Sequence, residues 1–283
     1  MTARQGYPDE RPRLGRPQVM GVLNVTPDSF SDGGAFNSVE AACQRAQIMV
    51  SEGVDIIDVG GESSRPGAEI VGDAEELARV IPVIRALRSR FAVPISIDTT
   101  KPVVMQAACA AGASMINDVN ALRSPGAIEA ARDSGAMVCL MHRQGTPASM
   151  QLAPHYDDVV ADVTAFLRER VAACMSAGID ADRLVLDPGI GFGKNLEHNL
   201  ALLAALRPLC ADRHPVLIGV SRKSMFGALL GRTVDQRLAA SLAAAAVAVF
   251  QGVAIVRAHD IRATVDAVAV AYAIRNAAMA GAT

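Results

Sequence analysis

The stretch Ile95-Ser-Ile-Asp98-Thr-Thr-Lys101-Pro102-Val-Val-Met-Gln-Ala-Ala-Cys-Ala-Ala111 carries the unit from which the whole chain is built. A short apolar run ends at a charged residue, a brief polar loop follows, and a helical segment covers 102–111. Working outward, the same order recurs from Gln18 onward. Apolar runs stand at 19–23, 56–59, 115–116, 137–141, 184–186, 216–220 and 254–256. They are near-continuous rather than alternating, the pattern of strands covered on both faces and hence of parallel strands.

Helical periodicity fills the gaps. Asn37 and Glu40 have capping-box spacing ahead of Val39, Ala42, Cys43, Ala46, Met49 and Val50, with Gly53 at the C-cap position. Asp73 and Glu76 offer a second box before Leu77, Val80, Ile81, Ile84 and Leu87, and Pro82 is expected to kink that helix. Further helices are expected over 126–134, 158–177, 198–209, 235–251 and 261–278. Roughly eight strand–helix units over about 265 residues match an α/β fold of the (β/α)8 TIM-barrel type in a single domain, 18–283. Residues 1–17, rich in Arg, Pro and Gly, read as a flexible N-terminal tail. A doubly wound sheet would carry a glycine fingerprint after its first strand, and Gly21-Val-Leu-Asn24 is not one.

Composition narrows the function. The chain has 283 residues, 51% hydrophobic, no Trp and a net charge of -2, so a large aliphatic core is available and a broad nucleic-acid surface is not. The most apolar segment, 238–250, is too short to span a bilayer and is dominated by Ala. Five scattered cysteines without paired spacing argue against a disulfide framework or zinc site and fit a reducing cytoplasm.

In a barrel enzyme the catalytic groups sit where strands end. Here those ends carry Asn24, Asp58, Asp98, Asn117, His142, Asp187, the run Ser221-Arg222-Lys223, and Arg257 with His259. A single Asp after a strand is often only a helix cap; polar groups at nearly every strand end are harder to assign to capping. Asp98, Asn117 and Asp187 could read the donor–acceptor edge of a flat heterocycle. Arg257 could lie against such a ring, and Arg257, His259 and Asn24 could hold an anion. Lys223 and Ser224 open a helix start, another anion-binding device. The loops Gly60–Gly67 and Gly189–Lys194 are glycine-rich, but Gly191-Phe192-Gly193-Lys194 lacks P-loop spacing.

Several long motifs resemble those of the dihydropteroate synthase family. They are Met20-Gly-Val-Leu-Asn24-Val-Thr-Pro-Asp-Ser-Phe-Ser-Asp32-Gly-Gly34, Asp55-Ile-Ile-Asp58-Val-Gly-Gly-Glu-Ser-Ser64-Arg65-Pro-Gly67, Ser96-Ile-Asp98-Thr-Thr-Lys-Pro102, Ile116-Asn117-Asp118, Leu186-Asp187-Pro-Gly-Ile-Gly-Phe192-Gly-Lys194 and Ser221-Arg-Lys223-Ser224. Their order holds from about Gln18 to Asp260. The resemblance implies condensation of 6-hydroxymethyl-7,8-dihydropterin pyrophosphate with p-aminobenzoate to give 7,8-dihydropteroate and pyrophosphate. It also implies Mg2+ and a homodimer. It assigns Asp98, Asn117, Asp187, Lys223 and Arg257 to the pterin, and Asn24, Arg257 and His259 to the pyrophosphate, with Asn24 at the metal. It assigns Asp32, Ser64 and Arg65 to two loops over the reacting groups, and Phe192, Lys223 and Ser224 to p-aminobenzoate. Asp32, Lys223, Arg257 and His259 are the expected catalytic residues.

Two positions depart from the family pattern: Ser64 stands where Thr is usual, and Arg143 where an uncharged residue is usual. Because the aromatic amine is a weak nucleophile, early departure of pyrophosphate and a pterin cation are expected, with Asp32 beside the cation and loop closure excluding water. Three other readings compete. A pterin-binding methyltransferase domain would need no pyrophosphate site or Ser221–Ser224 run. An inactive homologue would lose loop residues. A barrel isomerase would need an acid–base pair, for which His142 is the sole candidate.

Overall fold

The computed structural model describes residues 15–25, 34–62, 71–145, 150 and 154–280, with the side chains of 34–38 left aside. Eight strands form one parallel sheet in the order β6-β5-β4-β3-β2-β1-β8-β7. They are β1 Gln18–Asn24, β2 Ile56–Gly60, β3 Ile95–Asp98, β4 Met115–Asp118, β5 Met137–Met141, β6 Leu184–Asp187, β7 Leu217–Gly219 and β8 Ile255–Ala258. The two ends of the sheet meet through a parallel bridge from Leu186 to Val216 and the Leu186 N–H bond to the Pro215 carbonyl at 2.9 Å. The sheet therefore closes into a (β/α)8 barrel.

Ten helices alternate with these strands among the described residues: α1 Gly34–Ser51, α2 Asp73–Arg90, α3 Pro102–Ala111, α4 Ala127–Ser134, α5 Val159–Ser176, α6 Leu196–Ala204, α7 Leu206–Cys210, α8 Ser224–Leu230, α9 Leu238–Gln251 and α10 Ile261–Ala280. No single described helix is long and apolar enough to cross a membrane.

Strand periodicity sorts the side chains onto two faces. Met20, Ile56, Met115, Met137, Cys139, Val185, Leu217 and Ile255 form one buried cluster, the apolar plug of the barrel. Their neighbours Val19, Ile57, Val138, Leu184, Ile218 and Val256 point outward into the larger core shared with the helices. Two residues beyond the plug, on the same inner face, stand Asp58, Asn117, Asp187 and Arg257. An apolar floor thus supports a polar layer at the C-terminal end of the strands.

Several local expectations change. Of the stretch 1–17 only 15–17 is described, and there Gly15 accepts a hydrogen bond from the Tyr272 hydroxyl at 3.0 Å and Arg16 pairs with Asp55 at 2.5 Å. Residues 1–14 lie outside the described residues. Helix α1 starts at Gly34, so Asn37 falls inside it, and its side chain is outside the described set. Helix α2 is capped by Gly72 and runs on through Pro82, which is on its solvent face. Glu76 does not close a box there; its buried carboxylate instead pairs with Lys101 at the start of α3. The helix expected over 198–209 starts at Leu196, under a capping box of Asn195 with His198, and breaks at Ala205. The helix expected over 235–251 opens with a 3-10 turn, Val234–Arg237.

Candidate active site at the barrel mouth

Arg257 is the centre of the polar layer. Its Nε donates to Asp58 Oδ2 at 2.6 Å, and its Nη2 donates to Asp98 Oδ2 at 2.8 Å. Asn117 Nδ2 donates to the same Asp58 oxygen at 3.1 Å. Strands β8, β2, β3 and β4 thus meet in one network. The Asp58 and Asp98 side chains are 0% and 9% exposed and that of Arg257 is 21% exposed, so these are desolvated charges. Burial alone would favour a neutral Arg257, but Asp58 and Asp98 outweigh it and hold the guanidinium above its ordinary value. Burial pushes Asp98 up to about 7, against the pull of Arg257 and with Asp58 adding to the push.

Asp187 enters from β6. Its Oδ1 accepts the Gly189 N–H at 2.7 Å, and burial pushes its carboxyl up to about 6 despite that bond and the nearby lysines 223 and 194. The following loop is seated tightly on the end of β5. Gly189 has φ +69, and a Cβ there would lie 1.9 Å from the His142 carbonyl oxygen. This explains why the sequence has glycine at that turn.

Beneath the loop, buried Lys194 donates to the Gly189 and Phe192 carbonyls, both at 3.0 Å, and lies 2.9 Å from His142 Nδ1. Burial pushes Lys194 down to about 7, and burial together with Lys194 pushes His142 down to about 3. A neutral His142, packed edge-on against Phe166, is a structural acceptor for this lysine rather than a general acid. On the open side of the loop, Lys223 Nζ sits 4.2 Å from the centre of the Phe192 ring, and α8 begins at the exposed Ser224.

The rim between β7, β8 and β1 carries His259 and Asn24. His259 Nδ1 lies 3.0 Å from Ser221 Oγ, which also accepts the His259 N–H at 3.2 Å. Asn24 ends β1 half-buried, opposite Gly60 in the register of β2. Arg222, at φ 54, turns away from this rim into a two-pronged pair with Asp260, both contacts at 2.8 Å. Asp118 is also turned to structure, accepting the Asn120 and Leu122 N–H groups at 2.7 and 2.8 Å.

The structure therefore gathers Asp98, Asn117 and Arg257 into one network, Arg257 bonded to Asp98 and joined to Asn117 through Asp58, with Asp187 on the same layer and Asn24, Phe192, Lys223, Ser224 and His259 around the mouth. Asp32, Ser64 and Arg65 lie outside the described residues. Sequence reasoning gave no role to Asp58, Lys194 or the network in which Lys101 bridges Glu62 and buried Glu76. Asp58 did stand among the strand ends and within the second motif, and those were its signals. No group of three or more His, Cys, Asp or Glu able to hold a metal occurs among the described residues. Asn24 offers one amide oxygen.

Comparison with known proteins agrees with this geometry. Residues 20–259 match the family model described as pterin binding enzyme. The chain is 53% identical over 264 residues to the dihydropteroate synthase of Escherichia coli K12, covering 93% of this chain and 94% of that one. It is similar to a Yersinia pestis dihydropteroate synthase solved with a sulfonamide drug, at TM-score 0.89 and 50% identity, over 98% of this chain and 99% of that one. It is also similar to the Xanthomonas albilineans dihydropteroate synthase in complex with 7,8-dihydropteroate, at TM-score 0.84 and 51% identity, over 93% and 95% of the two chains.

Proposed function

The chain belongs to the dihydropteroate synthase family of pterin-binding enzymes, and from that premise we propose how its barrel mouth carries the reaction. The chain condenses 6-hydroxymethyl-7,8-dihydropterin pyrophosphate with p-aminobenzoate, releasing pyrophosphate, and is a target of sulfonamides. The observation that carries our residue assignment is the contact network of Arg257, Asp58, Asp98 and Asn117, with Asp187 beside it on one inner layer.

Asp98, Asn117 and Asp187 would take the hydrogen-bonding edge of the pterin, and Lys223 would add a donor. Since Nε and Nη2 of Arg257 are committed to carboxylates, its planar face and Nη1 remain for the ring and the pyrophosphate. His259 and Asn24 would hold the pyrophosphate. Phe192 and Ser224, with Ser64 and Arg65 from outside the described residues, would form the p-aminobenzoate pocket.

The amine is a weak nucleophile, so we assign an early departure of pyrophosphate. His259 and Arg257 stabilise the charge on the leaving group, and Asp32 is assigned to the developing pterin cation. Magnesium takes oxygen ligands, keeps several waters and often shares substrate phosphates. A lone Asn24 amide oxygen fits that mode better than an all-protein cage would. When bound, the ion supplies charge neutralisation at the pyrophosphate.

The assay is direct. With both substrates and Mg2+, the protein should form dihydropteroate and release pyrophosphate, and omitting p-aminobenzoate should stop dihydropteroate formation. No dihydropteroate from the two substrates, or methyl transfer instead, would remove this reading.

We also propose a homodimer formed through α9 and α10. An apolar groove of about 930 Å3 runs between them, lined by Leu242, Val247, Phe250, Ala267, Val270 and Ile274. Val247, Val270 and Ile274 are 55%, 60% and 56% exposed, a contiguous apolar face that a second copy would cover. The alanines of both helices would let the copies approach closely. Val270→Glu with Ile274→Glu is expected to turn a dimer into a monomer by light scattering, with the fold intact by circular dichroism. A wild-type monomer at micromolar concentration would refute it. A cytoplasmic setting is proposed with it, supported by five free cysteines.

A further inference from the structure

We infer that Asp58, through its Oδ2, decides which way the Asn117 amide faces and hence what that position reads on the substrate. The inference rests on the pterin site proposed above. Asp58 is fully buried on β2, and its Oδ2 accepts from both Arg257 Nε at 2.6 Å and Asn117 Nδ2 at 3.1 Å. An oxygen already bonded to a guanidinium is an acceptor. The Asn117 atom facing it must therefore be the nitrogen, since the reversed amide would set two oxygens against each other.

The consequence is chemical. With Nδ2 committed to Asp58, the carbonyl Oδ1 is the group Asn117 offers to a bound ring, and the position accepts from a ring N–H. The same Asp58 oxygen holds Arg257 in one plane, with Asp98 as the second anchor. Asp58 is thus a positioning residue for two groups of the pterin site. It acts from beneath the ligand, on the boundary between the polar layer and the apolar plug.

The test removes the acceptor. In Asp58→Ala nothing holds the Asn117 nitrogen, so the amide turns over and a nitrogen meets a ring N–H. Affinity for the pterin pyrophosphate, read by calorimetry, is expected to fall about tenfold to hundredfold, the usual cost of an unsatisfied buried pair. Asn117→Ala alone should fall comparably. In the double variant the misplaced amide is gone, so Asp58→Ala is expected to cost about threefold less there, or better, than it does in the wild type.

A merely structural Asp58 would lower the melting temperature and leave the two affinity losses additive, and that result overturns the proposal. Unchanged affinity in D58A also overturns it. If D58A fails to fold, D58N decides: its side-chain oxygen still accepts from Arg257 Nε and Asn117 Nδ2, so affinity should stay within about threefold of wild type, and a larger loss overturns the proposal. A wild-type protein that binds no pterin pyrophosphate would instead sink the site assignment on which this inference stands.

Discussion

Arg257→Met is expected to cost about 3–5 kcal/mol of folding stability at pH 8 and to abolish measurable turnover. The guanidinium is the ion-pair partner of two buried carboxylates, Asp58 and Asp98, and among the described residues neither has another. Methionine fills similar volume but leaves both charges without a counterion in a desolvated layer. The penalty stops short of twice that figure because a carboxylate can take up a proton instead. Asp98 is already held up to about 7 by burial, and losing Arg257 raises it further. Its folded pKa then lies still farther above the unfolded value near 3.9. A carboxylate shifted upward favours folding below its folded pKa and loses that contribution as pH rises. The gap between wild type and Arg257→Met should therefore narrow as pH falls from 8 toward 5.5. Urea unfolding at the two pH values reads this directly. Arg257→Lys keeps a charge but cannot span two carboxylates. It is expected to recover most of the stability and little of the turnover. Equal stability of Arg257→Met and wild type at pH 8 would show that the network does not hold the layer together.

The polar layer was legible in outline because strand geometry is simple. On β4, β6 and β8 an inward apolar residue is followed two places on by a polar one, and β3 ends on Asp98, so Asp98, Asn117, Asp187 and Arg257 could be assigned to one rim from position alone. Which of them touch was not legible. Arg257 and Asp58 are 199 residues apart and meet because β8 and β2 both flank β1, a relation no local pattern encodes. Lys194 was hidden for a different reason. A lysine after Gly-Phe-Gly reads as a solvated loop cation, yet it is buried under its own loop and satisfied by carbonyls. The Asp73–Glu76 spacing misled because a capping box is a local device, and a buried partner, Lys101, competed for the same carboxylate and won. Backbone direction also separates Arg222 from Lys223. Both looked equally available in sequence, but the backbone turn at Arg222 aims its side chain at Asp260.

Binding of a pterin should weaken on the order of hundredfold between pH 8 and pH 5.5, and Asp98→Asn should remove most of that slope. The sign follows from which form the ligand needs. Ring N–H groups bind an ionised carboxylate, which accepts two bonds, better than a protonated one. Burial holds Asp98 up to about 7 and Asp187 up to about 6 in the unliganded barrel. At pH 8 both are charged and ready. Below its pKa each group must shed a proton before binding, at about a factor of ten per pH unit. Asp98 then accounts for roughly thirtyfold of the loss over this range and Asp187 for a few-fold more. Folding stability would be the wrong readout. His142 is held down to about 3 and stays neutral when folded, so its contribution grows with pH between 3 and its unfolded value, opposite to that of the raised carboxylates. His142 bonds to Lys194 and is assigned no ligand contact, so a binding titration isolates the carboxylates. A 6-hydroxymethylpterin probe, which has no titrating phosphate, keeps the phosphate charge out of the slope. Calorimetry at pH 8, 7 and 5.5 should show wild-type affinity falling and proton release rising. Asp98→Asn should bind weakly throughout, because its amide cannot accept two ring N–H bonds, and should vary only by the few-fold share of Asp187. A wild-type profile as flat as the variant's would mean that Asp98 does not titrate against the ring, and the reading edge of the site would have to be sought elsewhere on the rim.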